Sequence, residues 1–151
     1  MINIVWQMLD PTDRRIVSIL QSDGKLSYHE LGEAVGLSAP ATFQRVRKLE
    51  GAGVITGYHA RVDPGLVGRG ILAFVRIQPG PKVDVGTLIT QWRRSAAFLE
   101  CHRLSGEDGY LLKVRLGAIS ELSELLDGAR RAGCKVATEL ALETAFERWT
   151  V

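Results

Sequence analysis

The sequence predicts an α+β protein in which an N-terminal winged helix-turn-helix precedes a ferredoxin-like βαββαβ domain. Three short helical segments with capping signals occupy the chain before Gly53, and strand-like and helix-like patterns alternate from Ile71 onward. A chain of 151 residues is long enough to form two small domains, each with its own core. We place the first domain at 1–62, a linker at 63–70 and the second domain at 71–151.

The composition is that of a folded chain outside the membrane. It is 46% hydrophobic and 24% charged, which is too apolar for a disordered protein. No apolar run approaches the roughly 20 residues of a membrane helix, and the N-terminus lacks the basic region and cleavage site of a signal peptide. We therefore expect a cytoplasmic protein with no membrane partner.

No motif of an enzyme or a metal protein is present in the sequence. Glycine-rich phosphate loops, zinc-ligand spacing and a nucleophile with a paired base are all missing, and the three histidines are scattered. Cys101 and Cys134 are far apart, and we expect two buried thiols. The prediction is a non-enzyme without a cofactor, a catalytic residue or a metal site.

Each of the three N-terminal helices begins with a recognisable cap. Asp10 precedes a proline at the first helical position, and Ser27 and Glu30 have the spacing of a capping box. Gly36 then permits a sharp turn before Ser38, the cap of the third helix. Two short helices joined by such a turn indicate a helix-turn-helix.

The third helix, Ser38 to Glu50, is the candidate DNA-reading helix, because the major groove admits one helix braced by the helix before it. Phe43, Val46 and Leu49 lie at the spacing of a buried face. Taken alone, the basic residues could be an ordinary solvated face, and Arg45 could instead form a buried ion pair with the second helix. The candidate contacts to double-stranded DNA are Ser38, Ala39, Pro40, Thr42, Gln44, Arg45, Arg47 and Lys48.

The distribution of charge along the chain supports DNA binding by this helix more strongly than the net charge does. The net charge is only +2, but the segment from Ser38 to Glu50 holds three basic residues and one acid. A modest total argues against a purely architectural protein that compacts DNA through phosphate contacts. We keep that ligand-independent alternative open.

The segment from Val54 to Asp63 is rich in β-branched and aromatic residues, and we expect a strand that leads into the linker and forms a short wing. His59 and Arg61 could contact the DNA backbone. A strand that packs the two domains together is an equally good interpretation.

The second half of the chain alternates between the two-residue period of strands and the 3.6-residue period of helices. Strand-like runs at 71–77, 98–104 and 110–116, and a last one through Val136, Leu140 and Leu142, are separated by helical patterns at 83–92 and 119–131. This order matches a sheet covered on one face by two helices, whose other face often needs a partner. A homodimer is therefore expected.

Five segments in order resemble the Lrp/AsnC family of feast/famine transcription regulators over nearly the whole chain. They are Leu9-Asp10-x-x-Asp13-Arg14-x-Ile16, Leu26-Ser27-Tyr28-x-Glu30-Leu31, Val35-Gly36-Leu37-Ser38, Arg45-Val46-x-x-Leu49-Glu50 and Gly53-Val54-Ile55-x-Gly57-Tyr58. The resemblance implies a DNA-binding regulator that assembles into dimers and often tetramers or octamers, with amino acids bound between dimers.

The resemblance also implies an effector-responsive turn between the second and third strands of the second domain. The family commonly has Gly-x-x-Asp there, and this chain has Gly106, Glu107, Asp108 and Gly109, so that a glycine replaces the aspartate. We take these four residues as the candidate effector site. A plain turn is the alternative, because glycine and aspartate both favour turns.

Overall fold

The structure is a computed structural model that describes residues 9–106, 109–148 and 150. The chain divides into two compact units, one extending to Arg61 and including the C-terminal segment from Phe146, the other running from Val62 to Ala145. The first unit contains three helices: α1 (Pro11–Ser22), α2 (Tyr28–Val35) and α3 (Ala39–Gly51).

The three predicted caps of the first unit are all formed. Asp10 accepts a hydrogen bond from the Asp13 backbone N–H, and Ser38 accepts one from that of Ala41. Ser27 and Glu30 make the complete capping box at the start of α2. Gly36 ends α2 with φ +74°, a left-handed conformation that side chains disfavour, and so permits the turn into α3.

The core of the first unit lies where the three helices meet. Its buried side chains are Leu9, Ile16, Val17, Leu31, Val46 and Leu49. Gly32 lets α2 approach α3 closely, because a Cβ at this position would lie 2.6 Å from the Leu37 carbonyl oxygen and 2.9 Å from Thr42 Oγ1.

The strand expected at Val54–Asp63 is not present: this segment is irregular. A strand needs a hydrogen-bonded neighbour, and the described part of the first unit contains no other strand. The segment is instead fixed to the end of α3, where the backbone N–H groups of Val54 and Ile55 both bond to the Leu49 carbonyl oxygen.

The second unit has the predicted βαββαβ order. Its elements are β1 (Ile71–Pro79), α4 (Val85–Arg94), β2 (Phe98–Arg103), β3 (Tyr110–Leu116), α5 (Ile119–Arg131) and β4 (Cys134–Leu140). The strands form one antiparallel sheet in the order β2-β3-β1-β4, which makes β2 and β4 the edges. The ferredoxin-like fold class is confirmed.

Alternation along the central strands divides this sheet into a core face and an open face. Val75 pairs with Leu112 and Ala73 with Val114, and all four side chains are fully buried in the core with Trp92. Helices α4 and α5 both contribute their buried residues to this core face. The neighbouring positions point to the other face, where Phe74 opposes Lys113 and Arg76 opposes Leu111.

The expectation of two buried thiols is wrong for Cys101. Cys134 is buried, but Cys101 is exposed because β2 is an edge strand. In the described part of the chain, no helix has both the length and the apolar character needed to cross a membrane.

Candidate nucleic-acid interface

Helix α3 has one face in the core of the first unit and one face in solvent. Thr42, Val46 and Leu49 are buried at helical spacing. The opposite face is polar and basic. Its exposed residues are Pro40, Gln44, Arg47 and Lys48, with Ser38 exposed at the cap.

Arg45 lies between these two faces and is held by two carboxylates from the start of α1. Its Nη1 atom lies 2.6 Å from Asp10 Oδ2 and 2.7 Å from Asp13 Oδ1. The Asp13 side chain is 4% exposed, whereas that of Arg45 is 34% exposed. The ion pair that the sequence left open therefore exists, but it joins α3 to α1 and not to α2.

This contact shifts the pKa of both Asp10 and Arg45. The hydrogen bond from Arg45 is the main reason that the pKa of Asp10 is lowered, and the Asp13 backbone N–H adds to the effect. The reciprocal hydrogen bonds to Asp10 and Asp13 raise the pKa of Arg45. Because its guanidinium is engaged in this way, Arg45 positions the helix instead of facing outward with Gln44 and Arg47.

Thr42 was expected among the DNA contacts, and the structure corrects that expectation. Its side chain is fully buried, and its hydroxyl donates to the Ser38 carbonyl oxygen at 3.0 Å. A short polar side chain at this position satisfies its own hydroxyl within the helix and fits against Gly32. Thr42 is thus part of the core and not of the exposed face of α3.

The start of α3 is the positive end of a helix. Ser38 caps the helix with its hydroxyl, half-buried Ala39 is the first helical residue, and Pro40 follows. Pro40 has no N–H and the Ala41 N–H donates to the Ser38 hydroxyl, so the attraction for an anion here comes from the positive end of the helix dipole. Ser38, Ala39 and Pro40 therefore lie where a phosphate group could approach the backbone.

Arg47 and Tyr58 meet at one carboxylate on the rim of the exposed face. Arg47 Nη1 lies 3.4 Å from Glu50 Oε2, and the Tyr58 hydroxyl donates to Glu50 Oε1 at 3.2 Å. Partial burial, reinforced by Glu50, raises the pKa of Tyr58 to about 12. The contact of Arg47 is long and its side chain is 66% exposed, so it is free to exchange Glu50 for another anion.

Phe43 is not part of the core that its spacing predicted. It is 39% exposed and meets the ring of Tyr28, itself 40% exposed, edge to face. The buried residues of α3 are Thr42, Val46 and Leu49. Thr42 therefore occupies the buried position that was predicted for Phe43. Thr42, Val46 and Leu49 are four and three residues apart, which is also the spacing of a buried helix face. This spacing could have identified Thr42 as the buried residue.

The candidate effector turn is described only at its two glycines, since Glu107 and Asp108 lie outside the described residues. Gly106 has open space around it. Gly109 has φ +68°, and a Cβ there would lie 2.9 Å from the Ile77 carbonyl oxygen and 3.0 Å from Pro79 Cδ. A side chain at this position, such as the aspartate that the resemblance implied, requires the backbone of β1 or of the turn to shift.

A cleft of about 680 Å³ opens between α4 and the edge strand β2, with Arg103 and Tyr110 in its lining. Trp92 and Phe98 stack in its wall at a ring distance of 6.0 Å. The apolar lining is completed by Ile89, Leu99 and Tyr110, and the polar lining consists of Arg93, Glu100, Cys101 and Arg103.

Comparison with known proteins connects both units to one group of regulators. The family model of the AsnC-type helix-turn-helix domain matches residues 9–50. The chain is 33% identical over 141 residues to the transcriptional regulator LrpA of Mycobacterium tuberculosis, covering 93% of this chain and 94% of that protein. It is 39% identical over 120 residues to the leucine-responsive regulatory protein of Escherichia coli, covering 78% and 73%.

Solved structures show the same architecture. A transcriptional regulator from Neisseria meningitidis in complex with L-Met has a TM-score of 0.88 at 28% identity, covering 95% of this chain and 96% of that one. A feast or famine regulatory protein from M. tuberculosis complexed with L-methionine has a TM-score of 0.85 at 33% identity, covering 95% and 98%. These relatives are regulators and not enzymes. The chain therefore belongs to the Lrp/AsnC family of helix-turn-helix transcription regulators.

Proposed function

We propose that this regulator recognises a specific sequence in double-stranded DNA by placing the exposed face of α3 in the major groove. The observation that carries the proposal is the division of α3: Thr42, Arg45, Val46 and Leu49 hold the helix, and a polar, basic face is left open to solvent. That face matches the chemistry of base edges flanked by phosphates.

The exposed residues divide into two roles. Gln44 lies in the N-terminal half of α3, where side chains of such helices reach base edges, and its amide suits the donor and acceptor pair of adenine. Ser38, Ala39 and Pro40 lie at the helix end that favours a phosphate. Arg47 and Lys48 supply charge for the DNA backbone one turn later.

The test of α3 is a gel-shift titration with Arg47→Ala and Lys48→Ala on a duplex that the wild type selects from a random pool. Each variant is expected to bind more weakly, and the slope of log K against log salt should fall by about 0.9 for each phosphate that is no longer neutralised. Arg94→Ala in the second unit is the matched control. Unchanged binding by both α3 variants would overturn the assignment.

The same titration separates sequence reading from architectural binding. A sequence reader prefers its selected duplex over a scrambled one of equal length, typically by about 10³-fold or more at physiological salt. A protein that compacts DNA through phosphates would bind both equally. The net charge of +2 favours the first behaviour.

We further propose that an amino acid modulates this activity, bound at the turn from Gly106 to Gly109 and the adjoining cleft. The two L-methionine complexes of relatives support an amino-acid effector. In this chain, Ile89, Trp92 and Phe98 suit an apolar side chain, and Arg103 suits a carboxylate. A thermal-shift screen of the twenty amino acids tests this, with Arg103→Ala expected to abolish any shift; no shift with any of them would overturn it.

The open face of the sheet supports a homodimer as the basic unit. Phe74 is half-buried there beside charged groups paired within the face, Arg76 with Glu139 at 3.1 Å and Lys113 with Glu100 at 3.1 Å. A second copy would cover these groups. We expect light scattering to report a dimer or its multiples, a tetramer or an octamer, and Phe74→Asp to yield monomers.

A further inference from the structure

An exposed pair of aromatic rings lies on the side of the DNA-reading helix, formed by Tyr28 and Phe43. Their ring centroids are 5.2 Å apart and their planes meet at 82°, the edge-to-face geometry that aromatic pairs prefer. Tyr28 is the first residue of α2, fixed by the capping box of Ser27 and Glu30. The Phe43 ring therefore packs against a side chain whose backbone is fixed at the start of a capped helix.

The core does not account for the position of Phe43. The inner face of α3 is closed by Thr42, Val46 and Leu49, each at most 1% exposed, while Phe43 is 39% exposed. A single exposed apolar side chain is ordinary, but Phe43 and Tyr28 form one contiguous exposed aromatic patch, and such patches are a feature of binding surfaces.

The ring lies where a base contact is possible. Phe43 is the fifth residue of α3, next to Gln44 and one helical turn before Arg47, and the N-terminal half of such a helix is the part that meets base edges. In the major groove, thymine alone presents an apolar group, its C5-methyl.

We propose that Phe43 is a specificity-determining residue that contacts a thymine methyl group, and that Tyr28 is the positioning residue that fixes its ring. This inference rests on the proposed function of α3 as the reading helix. Because Tyr28 restrains the ring before DNA arrives, less side-chain freedom is lost on binding than for an unsupported phenylalanine.

The test removes only the methyl group from DNA. A duplex selected by the wild type from a random pool is resynthesised with each thymine replaced in turn by deoxyuridine, and affinities are measured for the wild type and for Phe43→Ala. We expect one replacement to weaken wild-type binding about 3- to 5-fold, the value of one buried methylene-sized group. The same replacement should leave Phe43→Ala unaffected.

Three further variants separate reading from folding. Phe43→Leu retains an apolar contact and should keep part of the methyl dependence. Tyr28→Ala should reduce that dependence while circular dichroism stays unchanged, as a positioning residue requires. Gln44→Ala, the matched control, should bind more weakly but keep the wild-type ratio between thymine and deoxyuridine.

Two outcomes would overturn the inference while α3 remains the reading helix. One is a selected duplex in which no thymine replacement affects binding. The other is Phe43→Ala showing the same methyl dependence as the wild type. If the selection enriches no sequence, the proposed reading function and this inference fail together.

Discussion

Asp13 and Arg45 are 32 positions apart in the chain, and their side chains meet at 2.7 Å at the junction of α1 and α3. The carboxylate of Asp13 is almost fully buried, so the guanidinium is its main compensation for the loss of water. The orientation of α3 is thus tied to the first turn of α1.

Arg45→Ala is expected to lower the free energy of unfolding by about 1–3 kcal/mol, because it leaves a buried acceptor without its charged partner. Asp13→Ala combined with Arg45→Ala should cost less than the sum of the two single changes. Urea denaturation of the four proteins measures this coupling. Strict additivity would show that the two side chains do not stabilise each other.

Gly32→Ala should destabilise the first unit by about 1–3 kcal/mol, since the added methyl group overpacks the contact between α2 and α3. A backbone carbonyl, that of Leu37, lies in the way and cannot rotate aside. Gly51→Ala is the matched control, because its Cβ would meet nothing within 4 Å. Thermal melts that rank Gly32→Ala no lower than Gly51→Ala would contradict this packing.

Gly109→Asp introduces the residue common in the family, yet we expect it to destabilise the second unit. The positive φ costs about 1–2 kcal/mol for a residue with a Cβ, and the contact with Ile77 adds to that cost. Gly106→Ala, which has open space and an ordinary φ, should be close to neutral. Chemical denaturation of both variants checks the difference. A stable Gly109→Asp protein would show that the turn can rearrange.

Tyr58 should titrate later than an ordinary tyrosine. Its pKa is raised to about 12 by burial and then by Glu50, so the unfolded state ionises first as the pH rises above 10. The contribution of Tyr58 to stability is therefore complete below pH 10 and is lost between pH 10 and about 12. An absorbance titration at 295 nm should show a step near pH 12, and Tyr58→Phe should remove that step.

Local signals predicted the helices and strands well. The caps at Asp10, Ser27 and Ser38 depend on groups within three residues of each other, and each forms as expected. The βαββαβ order follows from alternation within single strands, such as Leu112, Val114 and Leu116 on the core side of β3.

Features that depend on distant partners were predicted less well. Residues 54–63 have strand-like composition, but a strand also requires a neighbour to pair with, which local composition does not reveal. The partners of Arg45 lie in α1, 32 and 35 positions away. Thr42 is buried in place of the predicted Phe43 because Gly32 on α2 leaves space for only a small side chain at the contact with α3.

The two faces of α3 carry separable tasks, and this has a consequence for how such regulators diversify. Substitutions at the exposed positions Pro40, Gln44, Arg47 or Lys48 alter the surface that we propose meets DNA. Thr42, Val46 and Leu49 stay buried in the core. A duplicated copy of this gene could therefore acquire a new set of target promoters through a few outward changes. The buried residues that hold α3 in the domain would not need to change.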